Sequence, residues 1–335
     1  MAHHRQQHFH IRTPLVETKQ KTIVHVAIAL NANGAARLMS QAINGYTQVI
    51  FSNQTKLEGM RVSDITWHEP VVGFELEPQE IIVSTDVQRE KLSACDLDSD
   101  DLDGWVDSAF YIGLGIHAGI ASGISAEGNV NMLTSLIQHR LVRLDEPLTV
   151  RGRITGVEDV PRGQAISTDV WFEDANGKRA ISAPRKSLRP HASPKTDEAK
   201  SSESKTKGAG DRPAPVIGDI EALTQYQSFQ LTPTRVKDYS SEGNSIHYEM
   251  DAANQAGFRA PIIGGGMGVH YLVHTLWKEC QPTAWDLSIY FRRPIFWDDA
   301  FTVMANPWTA IGLVKNGKVL TEARINQLTK AKRQR

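Results

Sequence analysis

Residues 239–268 read YSSEGNSIHYEMDAANQAGFRAPIIGGGMG. Glu242 stands five positions before His247, and a turn-prone Gly243-Asn244-Ser245 links them. Three glycines, Gly264 to Gly266, then open an apolar, helix-like run. A carboxylate and an imidazole held together can handle a proton, and a glycine-rich helix start can present backbone N–H groups to a developing oxyanion. That combination suits adding water to, or removing it from, an activated acyl group.

Working outward, the helix-like run has a counterpart upstream. HRLVRLDEPLTV at 139–150 aligns without a gap on RRPIFWDDAFTV at 292–303, 153 positions on. Arg140 meets Arg293, Asp145 meets Asp298, and Thr149-Val150 meets Thr302-Val303. The same spacing carries Gly115-Ile116-His117 onto Gly268-Val269-His270. Two gapless matches at one spacing indicate a duplication.

Each half then reads alike. An uncharged helix covers about 109–124 in front and 265–279 behind. In front, strands follow at about 135–143, 148–158, 164–174 and 179–187, with Asp174 to Gly177 as a hairpin turn. Behind, they follow at about 285–294, 300–312 and 317–328, with Lys315-Asn316-Gly317-Lys318 as the turn. One helix followed by an antiparallel meander predicts an α+β fold, each sheet wrapped around its helix. Gly115 and Gly268 would let the sheets approach closely.

Between Pro190 and Pro215 the chain has no aromatic and no large aliphatic side chain. Such a stretch cannot bury enough apolar surface to offset its ordering entropy, so 191–215 is read as a flexible linker. It separates a front unit, 61–190, from a back unit, 216–330. Residues 1–20 carry His3, His4, His8 and His10 and read as a disordered tail. Residues 21–60 hold strand-like and helix-like stretches with no place in the duplicated scheme.

Composition bounds the rest. The 335 residues are 40% hydrophobic and 22% charged, with a net charge of −1 and pI near 6.9. No global field draws such a chain to nucleic acid or an anionic membrane. Two cysteines, Cys95 and Cys280, form no framework and fit a reducing cytoplasm. The uncharged run Ala109–Ser125 just reaches the ~17-residue limit for a membrane span, yet its glycines and His117 favour a buried helix.

Several suggestive patterns fail on inspection. The acidic run Asp96–Gly104 has Asp101 where a calcium loop needs glycine. His270 and His274 lack a third zinc ligand at a usual spacing. The glycine cluster at 264–268 breaks the dinucleotide-binding pattern at Val269.

The order carboxylate, small turn, histidine, Ala-Gly-Phe and glycine-rich helix start resembles the MaoC-like, or hydratase 2, branch of hot-dog proteins. That family's signature runs Asp-x-Asn-Pro-(Ile/Leu)-His, followed some twenty residues on by His-Gly at the central helix. The matching residues are Glu242-Gly243-Asn244-Ser245-Ile246-His247, then Gly257-Phe258, Pro261-Ile262-Ile263 and Gly264-Gly265, with Tyr239-Ser240 as the aromatic-small pair ahead of them. Tyr290 to Asp299 is similar to the family's strand and tight turn after the helix. The resemblance covers 216–330 well and 85–190 weakly, through the internal echo.

It implies a double hot-dog fold and a mechanism. One water would sit between Glu242 and His247 and add to the β-carbon of an enoyl thioester, with dehydration as the reverse. A backbone N–H near Gly265 would hold the thioester oxygen, with Gly264 and Gly266 at the same site and Asn244 fixing the loop or the substrate. The substrate would be an acyl-CoA or acyl-carrier-protein thioester, handled with (R) stereochemistry and without a metal, flavin or nicotinamide. A monomer or a homodimer of fused units would both fit.

Three departures stand out. Glutamate replaces the usual aspartate, serine at 245 replaces proline, and the helix-start His-Gly becomes Gly-Gly, so Gly265 and Gly266 compete for the oxyanion role. The front half has no dyad, since the 153 spacing puts Arg89 and Ala94 at those positions. By the resemblance, that half would house the acyl chain. Two other readings stay open: a non-catalytic acyl-thioester-binding protein, and a thioesterase, which the hydratase-type loop argues against.

Overall fold

The computed structural model describes residues 66–126, 129–191, 213–240, 245–306 and 308–330. The stretches read at 1–20 and 21–60, and the linker residues 192–212, lie outside them.

The front half begins with β1 (Gln79–Ile81) and α1 (Thr85–Ala94). Ser84 caps α1, its hydroxyl accepting from the Val87 N–H, which satisfies one of the orphan donors of a helix start. After a short 3-10 turn at Ser99–Leu102 comes α2 (Phe110–Ala121). At 12 residues it is about 18 Å long at 1.5 Å per residue. No helix among the described residues is long and apolar enough to cross a membrane. Strands β2 (Val130–Gln138), β3 (Leu148–Val160), β4 (Gly163–Glu173), β5 (Arg179–Ser182) and β6 (Arg185–Pro190) complete this half.

The back half repeats the order. It contains β7 (Thr224–Gln230), α3 (Pro233–Ser240), a 3-10 turn at Ser245–His247, α4 (Met250–Gln255) and α5 (Gly265–Cys280). Strands β8 (Pro282–Phe291), β9 (Ala300–Asn306), β10 (Ala310–Lys315) and β11 (Lys318–Lys330) follow.

All eleven strands form one antiparallel sheet, ordered β1-β3-β4-β5-β2-β8-β11-β10-β9-β7, with β6 pairing β2 and β4. The order is a mirror image about the β2–β8 seam. There Ser135 pairs with Ser288, flanked by Thr134 with Ile289 and Leu136 with Leu287. Ser135 and Ser288 are 153 positions apart, the spacing found in the sequence. A pseudo-two-fold axis therefore passes between them, and the duplicated halves meet edge to edge as a double hot-dog. Joining the edges also removes two unpaired strand edges that would otherwise template aggregation.

Each helix lies on its own half of the sheet. α5 packs on β8, β9, β10 and β11, and α2 on β3. The close approach expected at Gly115 is real, because a Cβ there would come within 3.1 Å of the Val170 side chain on β4. At Gly268 the nearest atoms would be 3.7 Å away, which is ordinary contact. The core runs through both halves, from Leu92, Leu136 and Phe172 to Leu272, Leu287 and Leu313.

Two strand expectations need correction. The single strand read at 300–312 is a hairpin, β9 and β10, turning through Asn306 to Thr309, where the Asn306-Pro307 pair was the overlooked signal. The strand read at 179–187 is interrupted at Ala183-Pro184, since proline has no N–H for the ladder. The turn at 316–317 is as expected: Asn316 at φ 49° and Gly317 at φ 66° supply the two left-handed residues of a tight hairpin.

The acidic run at 96–104 packs against α5. Asp101 takes a contact at 3.0 Å from His274 Nε2 and a hydrogen bond from Lys278, while its carbonyl accepts from Trp277 Nε1. The Lys278 hydrogen bond holds the Asp101 carboxyl below the usual carboxylate range.

Candidate active site

The path to the site starts with a small piece of pairing ahead of α5. Ile262 bridges Phe296, the Ile263 N–H donates to the Ile295 carbonyl, and the Trp297 N–H donates to the Pro261 carbonyl. Asp299, buried in the turn that follows, accepts from the Phe296 N–H and from Arg259. The stretch entering α5 is thereby fixed on the sheet.

That fixed backbone orients the histidine. His247 Nδ1 lies 2.7 Å from the Ile262 carbonyl oxygen. A carbonyl can only accept, so Nδ1 carries the proton and Nε2 keeps its lone pair. Burial pulls the His247 pKa below the ordinary imidazole value, against a smaller upward pull from the Ile262 bond. The imidazole is neutral at pH 7, with its basic nitrogen free of that bond.

Nε2 faces the helix start. A Cβ on Gly264 would come 3.7 Å from it. Gly264 is the N-cap of α5 and provides no side-chain cap, so the first-turn N–H groups have no partner within the helix. The positive end of the helix dipole adds to their pull on a negative oxygen. Gly265 has no room for a side chain, because a Cβ would lie 2.9 Å from the Phe291 ring. A Cβ on Gly266 would sit 3.5 Å from the Tyr239 hydroxyl.

Tyr239, half-buried, begins a chain of side chains that joins the halves. Its hydroxyl is 3.0 Å from His270 Nε2, and His270 Nδ1 is 2.9 Å from Asp107 Oδ2, off the hydrogen-bond axis. His270 and the Asp107 side chain are fully buried. Asp107 is held in turn by the Gln88 side chain, which accepts from the Asp107 N–H. Lys91 donates to the carbonyls of Asp238 and Tyr239, placing a cation at the end of α3, where the helix dipole favours it.

Of the residues singled out in the sequence, the structure brings His247, Gly264, Gly265 and Gly266 together. Glu242 and Asn244 lie outside the described residues. Tyr239, Phe291, His270 and Asp107 were not assigned to the site from sequence. Tyr239 had a local signal as the aromatic ahead of the signature. Asp107 had none, being 163 positions from His270.

No family model matches the chain, and no curated protein matches its sequence. Solved structures do. HtdX from Mycobacterium tuberculosis has a TM-score of 0.58 over 75% of this chain and 98% of its own, at 16% identity. A MaoC-like dehydratase from Phytophthora capsici gives 0.54 over 78% and 98%, at 14% identity. The peroxisomal multifunctional enzyme type 2 of Drosophila melanogaster gives 0.55 over 75% of this chain and 48% of its own, at 15% identity. The chain shares its fold with these proteins.

Proposed function

We propose that this protein is a MaoC-like hydro-lyase, an (R)-specific enoyl-thioester hydratase or 3-hydroxyacyl-thioester dehydratase acting on CoA- or carrier-protein-bound acyl groups. The observation that carries the reading is the neutral His247 imidazole, its proton fixed on Nδ1 and its Nε2 turned to the uncapped glycine start of α5. A proton acceptor beside a row of unfilled N–H donors is what addition to an α,β-unsaturated thioester requires.

In hydration, a water shared by Glu242 and His247 bonds through its oxygen to the β-carbon and gives its proton to the dyad. The electron pair of the double bond moves toward the carbonyl, and the enolate oxygen is held by the N–H groups of Gly265 and Gly266. The imidazole then supplies a proton to the α-carbon, so one water is added in all. Asn244 holds the loop or the substrate, and Gly264 leaves the edge of the imidazole open. The front half accommodates the acyl chain. The (R) outcome rests on resemblance to the hydratase 2 pattern.

Crotonyl-CoA tests this directly. The expected result is loss of enoyl ultraviolet absorbance with no release of thiol. Thiol release would instead mean thioester cleavage. Binding with neither change would mean a non-catalytic acyl-thioester protein.

A further inference from the structure

Arg185, at the start of β6, is a cation with no counter-ion among the described residues. Its side chain makes no hydrogen bond or ion pair with the described residues, and desolvation alone pulls its pKa down, to about 10. Other arginines contrast with it: Arg140 is held by Glu146 and Asp174, and Arg259 by Asp298 and Asp299. The residue is half-buried, and covering a charge even in part without pairing it costs stability, so such a group calls for an explanation.

The pseudo-two-fold axis sharpens the point. Arg185 pairs with Thr134 on β2. The two-fold counterpart of Thr134 is Leu287, which pairs with Ile325, a core residue. Arg185 Nη2 would lie 3.4 Å from a Cβ on Gly119 of α2. At the 153 spacing, Gly119 corresponds to Leu272, also a core residue. An apolar leucine–isoleucine pair in the back half is thus a glycine and an arginine in the front half.

The guanidinium also faces the right way. It lies over α2 on the inner side of the sheet, with the buried Thr134 and, one strand further, the buried Ile289. Two residues beyond Ile289 is Phe291, which walls the start of α5. Two strand spacings of ~4.8 Å put Arg185 about 10 Å across the sheet from Ile289.

From this placement we infer that Arg185 binds an anionic group of the ligand, with its planar fork engaging two oxygens of a carboxylate at the free end of the acyl chain or of a phosphate on its carrier. That the ligand is a thioester rests on the proposed function; the anion site itself does not.

Thermal melting of the full chain tests it without any turnover. Succinate, butyrate, inorganic phosphate and CoA are added separately to wild type, Arg185→Met and Arg185→Lys. The expected result is that succinate or phosphate raises the wild-type Tm by a few degrees, that the shift is smaller in Arg185→Lys, and that it is absent in Arg185→Met. Without ligand, Arg185→Met is expected to melt at or above wild type, since an unpaired charge has been removed. A shift with succinate but not with butyrate or phosphate assigns the acyl carboxylate; a shift with phosphate or CoA alone assigns the carrier. No anion-dependent shift in wild type, or a shift that persists in Arg185→Met, overturns the proposal. So does a marked loss of stability in Arg185→Met that Arg185→Lys restores without any anion, which would make the guanidinium a structural group.

Discussion

At the residue scale, one carbonyl decides what His247 can do. The Ile262 oxygen fixes the proton on Nδ1, and burial keeps the ring neutral. The acceptor nitrogen and the uncapped α5 amides are therefore in place before any ligand arrives, which reduces the reorganisation needed during reaction. The Tyr239 hydroxyl stands beside Gly266 of the same glycine run, held by His270. Its removal should be felt in catalysis more than in folding. Tyr239→Phe keeps the ring and loses the hydrogen bond to His270, worth about 1 kcal/mol of stability. If the hydroxyl also helps hold the enolate, kcat is expected to fall about tenfold with KM little changed, as steady-state hydration rates would show. Equal kcat values would reduce Tyr239 to packing.

At the element scale, the start of α5 explains its own composition. Phe291 fills the space where a residue-265 side chain would go. Gly265→Ala gains helix propensity of at most ~1 kcal/mol, whereas forcing a methyl against a packed ring costs about 1–3 kcal/mol. The net expectation is destabilisation in urea melts, partly restored by Phe291→Leu in the same chain. No restoration would show that the ring is not the obstacle. The helix was legible from its sequence as an apolar run opened by three glycines, but the Phe291 ring over Gly265 was not. The strands were legible as alternation and turns, but Pro184 was passed over, and it marks a break between β5 and β6. A proline in a ladder is a stronger signal than the apolar pattern around it. The Asp107–His270 contact was not legible, since nothing local couples residues in different halves.

At the scale of the whole molecule, the 153 spacing foretold the architecture, and the pairing of Ser135 with Ser288 places the axis where that spacing requires. What the halves no longer share is as informative as what they do. His117, the counterpart of His270, sits near Arg185, and desolvation first, then that arginine, lowers its pKa to about 4. An unfolded histidine titrates near 6.5. Between those values the unfolded chain binds a proton that the folded chain refuses, so stability is fully present above about pH 6.5 and is lost as pH falls toward 4. Urea midpoints measured from pH 7 down to pH 4.5 are expected to fall, and His117→Gln is expected to flatten part of that fall. An unchanged slope in the variant would place the acid sensitivity elsewhere.

The most direct measurement is the rate of crotonyl-CoA hydration by His247→Ala beside wild type at pH 7, with matching thermal melts to establish that both are folded. Removing a positioned proton-transfer group typically costs about 10²–10⁴ in rate, and a loss in that range is expected here. A variant that hydrates within a few-fold of wild type would contradict the assignment of the chemistry to this imidazole and the helix it faces.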